Sequence, residues 1–454
     1  MSVELRMWQV RCGSVTAGYN PPMSIRHFLS FLSRTGLAVL ALSTLNLPVA
    51  AQSVTAAVPT TLSLAQALQA AQNNLDVSLA RRALDAARGD VTAADRAPTP
   101  TLSAKAASID LQNGIGGGNV LSQKRIDKAI GLDWTLERGN KRELRTQQAQ
   151  RLVGAAESDI DEIRETQKIA ASSAFFDLLA AQERIGQVAA IASSAAQLAA
   201  TAQRRVKAGD LAAQDAARTD IEAQRANTDL ATAQIDRQRA AINLALLIGV
   251  ANSAAMIAQA DWPTNLASDA TSNDSVVYPS VEKRGEVRAA VQRAQAARAA
   301  LDGAAAQKTR DITLGTSFDH YPGTSTRLLE FRVQLPLNGF LGSYNYQGEI
   351  ARAQAQLLQA EDTLEKTRRS TAADYQRLQQ DRQGSAARAL SYDKTIVPSA
   401  KKVAEMAELA YSKGAMSLTE LIDARRTLRS ILIEALNART DHAKASQAWI
   451  LRQD

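Results

Sequence analysis

One pattern of elements occurs twice in this sequence, at a spacing near two hundred residues. Leu102 and Ile312 begin two comparable alternating segments that lie 210 residues apart. Gly209 and Gly414 mark two comparable sharp turns that lie 205 residues apart. A shared period of this size predicts a tandem duplication, in which each unit runs helix, strand, strand, very long helix, turn and helix.

Long, thin helices are expected to dominate each unit. Residues 139–208 contain no proline and carry Ala, Leu, Ile and Val at alternating three- and four-residue spacings, which predicts a coiled-coil seam. At 1.5 Å per residue, such a helix spans roughly 100 Å. Residues 215–247 are predicted to return antiparallel to it. In the second unit, Pro398 interrupts the corresponding helix, so we expect a kink or a break there.

The composition agrees with packed helices of this kind. Apolar residues make up 45% of the chain but aromatic residues only 4%, because much of the apolar fraction is Ala. Alanine lines close helix contacts and cannot fill a thick core. The motif from Ser63 to Gln66 predicts a capping box at the start of the first helix.

Four short segments alternate between apolar and polar residues and are predicted to be strands, at about 101–112, 127–137, 310–320 and 327–337. Period-two alternation suits a wall with lipid on one side and water on the other. Four strands cannot close a membrane barrel, because an open edge leaves backbone groups unpaired in hydrocarbon and known barrels begin at about eight strands. The pattern therefore predicts that several copies pool their strands, with a soluble sandwich as the alternative.

The N-terminal region is predicted to be a secretory signal over residues 23–51. Arg26 and Arg34 precede a short apolar run that is followed by small residues. Residues 1–22 are then interpreted as an over-called start. The single cysteine, Cys12, lies before the predicted cleavage point, so we expect no lipid anchor on the mature chain. We also expect no transmembrane helix, because no later apolar run reaches about twenty residues.

These boundaries divide the rest of the chain into five predicted parts. They are an N-terminal segment (52–61), a first repeat (62–249), a junction (250–279), a second repeat (280–450) and a C-terminal end (451–454).

Charge and chemistry exclude several classes of protein. The formal net charge is +7 and its positive residues are dispersed, which argues against nucleic-acid binding. Three histidines and one cysteine leave little material for a metal site, and neither His320 nor His442 belongs to a catalytic or zinc-binding motif. We therefore expect no cofactor and no enzymatic activity. Energy for any transport would have to come from a partner protein.

Three stretches carry a resemblance to a known family: LSLAQALQAAQNN (62–74), KAGDLAAQDAARTDIEAQ (207–224) and AYSKGAMSLTELIDARRTL (410–428). In this order, after a signal peptide, they resemble the TolC family of outer-membrane efflux channels across nearly the whole mature chain. The resemblance implies a mainly α fold with a membrane β-barrel. It implies a homotrimer whose three sets of four strands form one 12-stranded β-barrel in outer-membrane lipid. The helices would form a tunnel through the periplasm of a Gram-negative cell.

Within that family, the chain is most similar to the channels of cobalt–zinc–cadmium efflux systems. The similar stretches are QLPLNGF (334–340), GEIARAQAQL (348–357) and LIDARRTLR (421–429). The resemblance implies a passive channel that exports heavy-metal cations, with a periplasmic adaptor and a proton-driven inner-membrane pump as partners. A channel for drug efflux or type I protein secretion is the alternative. Outside the family, a periplasmic adaptor or a structural coiled-coil protein remains open.

The resemblance implies that the two turns form the periplasmic mouth, where the tunnel narrows and the adaptor docks. Tyr411, Glu420 and Asp423 match the family pattern around Gly414, and Asp215 follows Gly209 by six residues. These four residues are the expected periplasmic gate. As the alternative, a carboxylate near a helix N-terminus is favoured by the helix dipole alone.

The turns themselves are the expected adaptor-docking surface, through Gly209, Gly414, Arg218 and Met416. Met416 stands where the family pattern has a basic residue. Gln214 stands where it has a hydroxyl residue. These two departures weaken the expectation of an ionic latch at the mouth.

Overall fold

The computed structural model describes residues 61–110, 112, 114–119, 125–251, 256–271, 280–322, 325–337 and 344–453. The predicted signal, the over-called start and nearly all of the predicted N-terminal segment lie outside the described residues. Parts of the junction and of the strand-connecting loops lie outside them too.

The described part of the first half contains a short strand, four helices and a hairpin. Its elements are β1 (Thr61–Leu62), α1 (Leu64–Ala71), α2 (Leu75–Ala94), β2 (Thr101–Ala107), β3 (Asp127–Leu136), α3 (Lys141–Lys207) and α4 (Ala213–Ile248). The capping box predicted for α1 is confirmed, because the Ser63 hydroxyl accepts the Gln66 N–H while the Gln66 side chain accepts the Ser63 N–H.

The second half follows a junction and has the same order of elements. The junction holds β4 (Ile257–Ala258), which pairs in parallel with β1, then α5 (Leu266–Thr271) and a 3-10 turn (Val281–Lys283). The second half holds α6 (Gly285–Ala306), β5 (Ile312–Tyr321), β6 (Ser325–Gln334), α7 (Gln347–Ser391), α8 (Val397–Ser412) and α9 (Leu418–Leu451). The two long helices start alike, since Asn140 and Tyr346 both adopt a left-handed backbone, with φ of 56° and 60°.

Pro398 neither breaks nor ends the second long helix. A π-helical turn over Tyr392–Ile396 joins α7 to α8, so the backbone stays helical from Gln347 to Ser412. Proline lacks an N–H, and its ring clashes with the carbonyl one turn earlier. A wider turn at that point makes room for the ring, and π turns occur mostly as single turns within α-helices.

The four longer strands form one antiparallel sheet in the order β2-β3-β5-β6. The pairing of β3 with β5 joins the two halves of the chain. β2 is shorter than predicted, because Ser108 adopts a left-handed backbone (φ 59°) that ends the strand. Where the sheet meets the start of α3, buried Lys141 donates to Asp311 at 2.8 Å, and the Arg138 N–H donates to the same carboxylate at 3.0 Å.

The two faces of the sheet differ sharply in polarity. The register brings exposed apolar side chains to one face of neighbouring strands, namely Leu102, Ile130, Leu132, Trp134, Leu314, Phe318, Leu329, Phe331 and Val333. The opposite face is polar. There Arg332 on β6 reaches Asp133 on β3 at 2.7 Å, across the intervening strand. Gly315 makes this possible, because a Cβ at that position would lie 2.4 Å from the Asp133 carboxylate.

The junction is packed against the long helices. Trp262 stacks on Phe176 with ring centroids 6.1 Å apart and donates its indole N–H to Glu183 at 2.8 Å. His442 is buried on α9. Its Nε2 lies 3.0 Å from the Asp269 carboxylate on α5. The short helix of the junction is therefore tied to the last helix of the chain.

α3 is the described helix to compare with the expectation of no transmembrane helix. α3 contains a stretch that is long and apolar enough to cross a membrane by length and composition alone. The stretch is rich in alanine and is not continuously apolar. A core helix meets the same criterion, so this is weak evidence of a membrane span.

Gly285 offers a test of how closely α6 approaches α3. A Cβ at Gly285 would lie 2.8 Å from the Ser158 carbonyl oxygen and from the Glu162 nitrogen of α3. Gly285→Ala should therefore lower the free energy of unfolding by about 1–3 kcal/mol through overpacking. At Gly303 on the same helix, a Cβ would meet no atom closer than 3.9 Å.

Gly303→Ala is thus the matched control, and it should stabilise the protein by up to about 1 kcal/mol through helix propensity. Thermal unfolding of the detergent-solubilised protein, followed by circular dichroism, measures both changes. Equal effects of the two substitutions would contradict the close approach.

Candidate functional site

The two turns between long helices share one hydrogen-bonding pattern. Gly209 and Gly414 both have a left-handed backbone, with φ of 83° and 74°. In each turn, the glycine N–H bonds the carbonyl three residues back, and the next N–H bonds the carbonyl five residues back. This pair of bonds is the Schellman motif, which ends a helix and needs a residue that tolerates positive φ. Both glycines adopt the left-handed conformation that this motif requires.

Side chains near the two turns hold the hairpins together within one chain. The Arg205 guanidinium donates to the Tyr411 hydroxyl at 3.2 Å and lies 5.9 Å from the centre of its ring. The Arg218 guanidinium donates to the Thr419 hydroxyl at 3.0 Å. Both contacts join the α3–α4 hairpin to the α8–α9 hairpin. The two turns therefore lie at the same level.

Between these polar contacts lies a small apolar cluster. Its buried members are Ala407, Leu418, Leu421 and Ile422, and its partly buried members include Leu198, Leu211 and Met416. Met416 packs into this cluster at the position where the resembled family has a basic residue. At this point, apolar packing joins the two turns.

Glu420 has a defined structural partner. Its carboxylate accepts the Ser417 N–H at 2.9 Å and the Ser417 hydroxyl at 2.8 Å, while the Ser417 hydroxyl also accepts the Glu420 N–H. This reciprocal capping box begins α9. The hydrogen bonds from the Ser417 backbone and hydroxyl hold the pKa of Glu420 below its ordinary value. Glu420 is exposed and stays charged down to a lower pH than an ordinary glutamate.

The other two acidic residues of the expected gate have different surroundings. Asp423 is exposed on α9, where its carboxylate lies 3.6 Å from the Arg426 guanidinium. Asp215 lies in the first turn of α4. Among the residues that the structure describes, no three His, Cys, Asp or Glu side chains gather closely enough to hold a metal ion. One chain therefore presents separate carboxylates around its turns.

Ion pairs between α4 and α9, further along these helices from the turns, were not predicted from the sequence. Arg426 on α9 makes a two-pronged contact with Glu222 on α4, and Arg429 pairs with Asp229 on the same two helices. The hydrogen bond and charge of Arg426 hold the pKa of Glu222 below its ordinary value. The sequence carried a signal for the first pair, because its two residues lie at nearly the same distance from their turns. Glu222 follows Gly209 by thirteen residues, and Arg426 follows Gly414 by twelve.

The ion pairs border a groove between the two hairpins. The groove has a volume of about 390 Å³ and a largely aliphatic floor that includes Ile191, Leu198, Ile422 and Leu432. Glu222 with Arg426, and Glu408 with Arg425 at 2.9 Å, stand along its rim. The site therefore combines exposed carboxylates at the turns with an apolar groove directly above them.

Comparison with known proteins gives the family context for this geometry. The family described as outer membrane efflux protein matches residues 67–250. The cobalt-zinc-cadmium resistance protein CzcC of Cupriavidus metallidurans is 26% identical over 376 residues, which cover 82% of this chain and 85% of CzcC.

Solved structures share the fold. The outer membrane protein VceC of Vibrio cholerae superimposes with a TM-score of 0.69 at 17% identity, covering 86% of this chain and 95% of VceC. The CmeC outer membrane channel of Campylobacter jejuni has a TM-score of 0.68 at 14% identity, covering 86% of this chain and 85% of CmeC. Residues 67–250 therefore match the family of outer-membrane efflux proteins, and the described chain shares the fold of these solved outer-membrane proteins.

Proposed function

We propose that three copies of this chain form a passive channel through the outer membrane, which serves as the exit duct of a tripartite efflux system. The proposed cargo is heavy-metal cations. The proposed partners are a periplasmic adaptor that meets the helical turns and a proton-driven pump in the inner membrane. In the assembled channel, three four-stranded sheets close one 12-stranded barrel, and the long helices line a periplasmic tunnel.

The observation that carries this proposal is the four-stranded sheet, which has an apolar exposed face and two edges. β2 and β6 end the sheet, and neither pairs with a further strand among the described residues. Phe331 is 78% exposed and Leu102 is 76% exposed, although both are large apolar residues. A bilayer covers such a face, and strands from neighbouring copies satisfy the edge groups that hydrocarbon cannot.

Two further observations support the choice of cargo. CzcC, which aligns with most of this chain, is by name a cobalt-zinc-cadmium resistance protein. The turns carry Asp215, Glu420 and Asp423, so a trimer would place three copies of each carboxylate around the mouth. A ring of carboxylates attracts cations and favours their passage. Drugs, and proteins exported by type I secretion, are the alternative cargoes.

The cargo is tested by deleting the gene and measuring susceptibility to cobalt, zinc and cadmium salts beside a panel of drugs and detergents. We expect increased sensitivity to the metals, because a passive duct is needed for the last step of their export. Complementation with the full chain should restore resistance. Sensitivity to drugs alone would reject metal export and keep the channel, whereas recovery of the protein from the soluble periplasm would reject the channel.

Placement in the bilayer is tested with an arginine on each face of β6. Phe331→Arg would put a charge into lipid, which costs about 2–4 kcal/mol per copy near the bilayer centre. It should sharply reduce the amount of trimer in the outer-membrane fraction. Gln334→Arg is the control, because Gln334 is also exposed but lies on the polar face. A soluble protein would tolerate both changes equally.

The mouth carboxylates are tested by Glu420→Gln with Asp423→Asn. Glutamine can still complete the capping box with Ser417, so the fold of the turn should persist while six charges leave the trimer. Planar-bilayer recordings should then show lower cation selectivity. Unchanged selectivity would reject these residues as the charged mouth, and would leave Glu420 with its capping role alone.

A further inference from the structure

The apolar face of the sheet ends in a well-defined row on the side away from the helices. The helices joined to the sheet, α2, α3, α6 and α7, all attach at one end of its strands. Toward the other end, Ile130 on β3 pairs with Phe318 on β5, which pairs with Leu329 on β6. All three are exposed, and we call them the apolar row.

Basic side chains border the apolar row on the same face. On each of the three strands, the residue two positions farther from the helices is basic, namely Lys128 on β3, His320 on β5 and Arg327 on β6. Side chains of a strand alternate between faces, so residues two positions apart share a face. Lys128 and His320 are direct partners, and Arg327 lies beside them at a register shift between β5 and β6. These three residues form the basic row.

The carboxylates at this level of the sheet lie on its opposite, polar face. Asp127 directly precedes Lys128 and Asp319 directly precedes His320, so the alternation places both carboxylates on the other side of the sheet. Asp319 is buried there and accepts the Ser317 hydroxyl at 3.1 Å. Within the described strands, the basic row therefore has no carboxylate beside it on its own face.

The ammonium group of Lys128 lacks a counter-charge. Its Nζ is buried and has no hydrogen-bond partner in the part of the chain that the structure describes. Arg327 adds a second positive charge about 10 Å away, since two strand spacings separate β3 from β6. A buried charge without a partner is costly, so an anion placed between these two side chains would stabilise both.

The basic row lies at the depth expected for lipid headgroups. Leu136, on the same face of β3, is eight residues nearer to the helices than Lys128. At about 3.4 Å per residue and a strand tilt of roughly 35–45°, the two lie about 20 Å apart across the bilayer. Ile130, Leu132 and Trp134 between them are exposed and apolar. The apolar band of a membrane barrel is about 25 Å tall, so the basic row stands at its border.

We propose that the basic row binds a phosphate group in the headgroup of an outer-leaflet lipid, whose acyl chains lie against the apolar row. This inference rests on the proposed channel, in which the helices occupy the periplasm and the far end of the sheet meets the outer leaflet. Arg327 can hold two phosphate oxygens at once, and Lys128 supplies a compact charge on a flexible stem. His320 between them can donate a ring N–H. A lipid fits better than a free anion, because the basic and apolar rows adjoin on one face as a headgroup adjoins its chains.

Native mass spectrometry of the detergent-solubilised trimer tests the site. The probe is lipid A, a glycolipid with two phosphates on its sugar headgroup, compared with the same lipid after its phosphates have been removed. We expect the phosphorylated form to bind about tenfold more tightly, because it alone makes charge-assisted hydrogen bonds with the basic row. Equal binding of both forms to the unmodified protein would overturn the inference.

Two matched lysines test which face of the sheet binds the lipid. Lys128→Gln should weaken binding of the phosphorylated lipid roughly tenfold, and adding Arg327→Gln should weaken it further, to the level of the dephosphorylated form. Lys105→Gln is the control. Lys105 is exposed and pairs with Ala129, the neighbour of Lys128, so it lies at the same level on the opposite face. An equal loss in the Lys105 and Lys128 variants would overturn the inference.

Inorganic phosphate distinguishes a lipid site from a site for any small anion. An excess of inorganic phosphate should leave the lipid bound, because it cannot replace the contacts of the acyl chains with the apolar row. Displacement of the lipid would overturn the lipid as the occupant. A trimer with pore activity but no preference for the phosphorylated lipid would overturn this inference and leave the proposed channel intact. A monomer by light scattering, with no pore activity, would overturn both.

Discussion

Close approach between helices is the constraint on which the rest of this structure depends. α3 runs for 67 residues, and nine of its fifteen buried positions are small, seven of them Ala and two Ser. At Gly285 even the Cβ is missing, so the backbone of α6 meets the backbone of α3. Small residues let helices pack at short distances and gain dispersion contacts along their whole length. The long helices can then lie side by side, with larger residues gathered at the junction.

Polar side chains reinforce the places where different parts of the chain meet. Arg284 at the start of α6 is buried, donates to Glu162 and Glu286, and stacks its guanidinium 5.6 Å from the Tyr375 ring. Arg452 at the end of α9 donates to the same Glu162 at 2.7 Å. Breaking such a buried network leaves a charge without its partner, which typically costs about 3–5 kcal/mol. These contacts therefore fix how the first and last helices of the second half dock on α3.

The sequence predicted the helices, the strands and the turns because each has a local cause. Gly209 and Gly414 adopt the positive φ that glycine tolerates, and Ser63 caps the first helix as its motif predicts. Pro398 was harder to interpret, because a kink, a break and a π turn all accommodate a proline. Its outcome depends on the packing of the whole helix, which a local pattern does not contain.

The candidate site was only partly predictable for the same reason. The positions of Tyr411, Glu420 and Asp423 came from the family resemblance, and the sequence placed them correctly near a turn. It did not reveal that Glu420 is engaged by Ser417 or that Arg205 is the partner of Tyr411. Contacts such as that between Glu222 and Arg426 join residues about two hundred positions apart. Such a contact forms when two residues lie at the same distance along their helices from the turns. It can be identified only once the two hairpins are placed side by side.

The strength of the contacts at the turns bears on how the proposed mouth could work. Arg426 is 49% exposed and Asp423 is 64% exposed, so water screens their interactions. Exposed ion pairs typically contribute only about 0.2–1 kcal/mol each. The apolar cluster of Leu418, Leu421 and Ile422 is small and adds only a few buried side chains. By contrast, Arg284 and His442 lie in buried networks toward the junction. The chain is therefore held firmly at the junction and more weakly at the turns, which suits a proposed mouth whose hairpins shift while the tunnel above them stays in place.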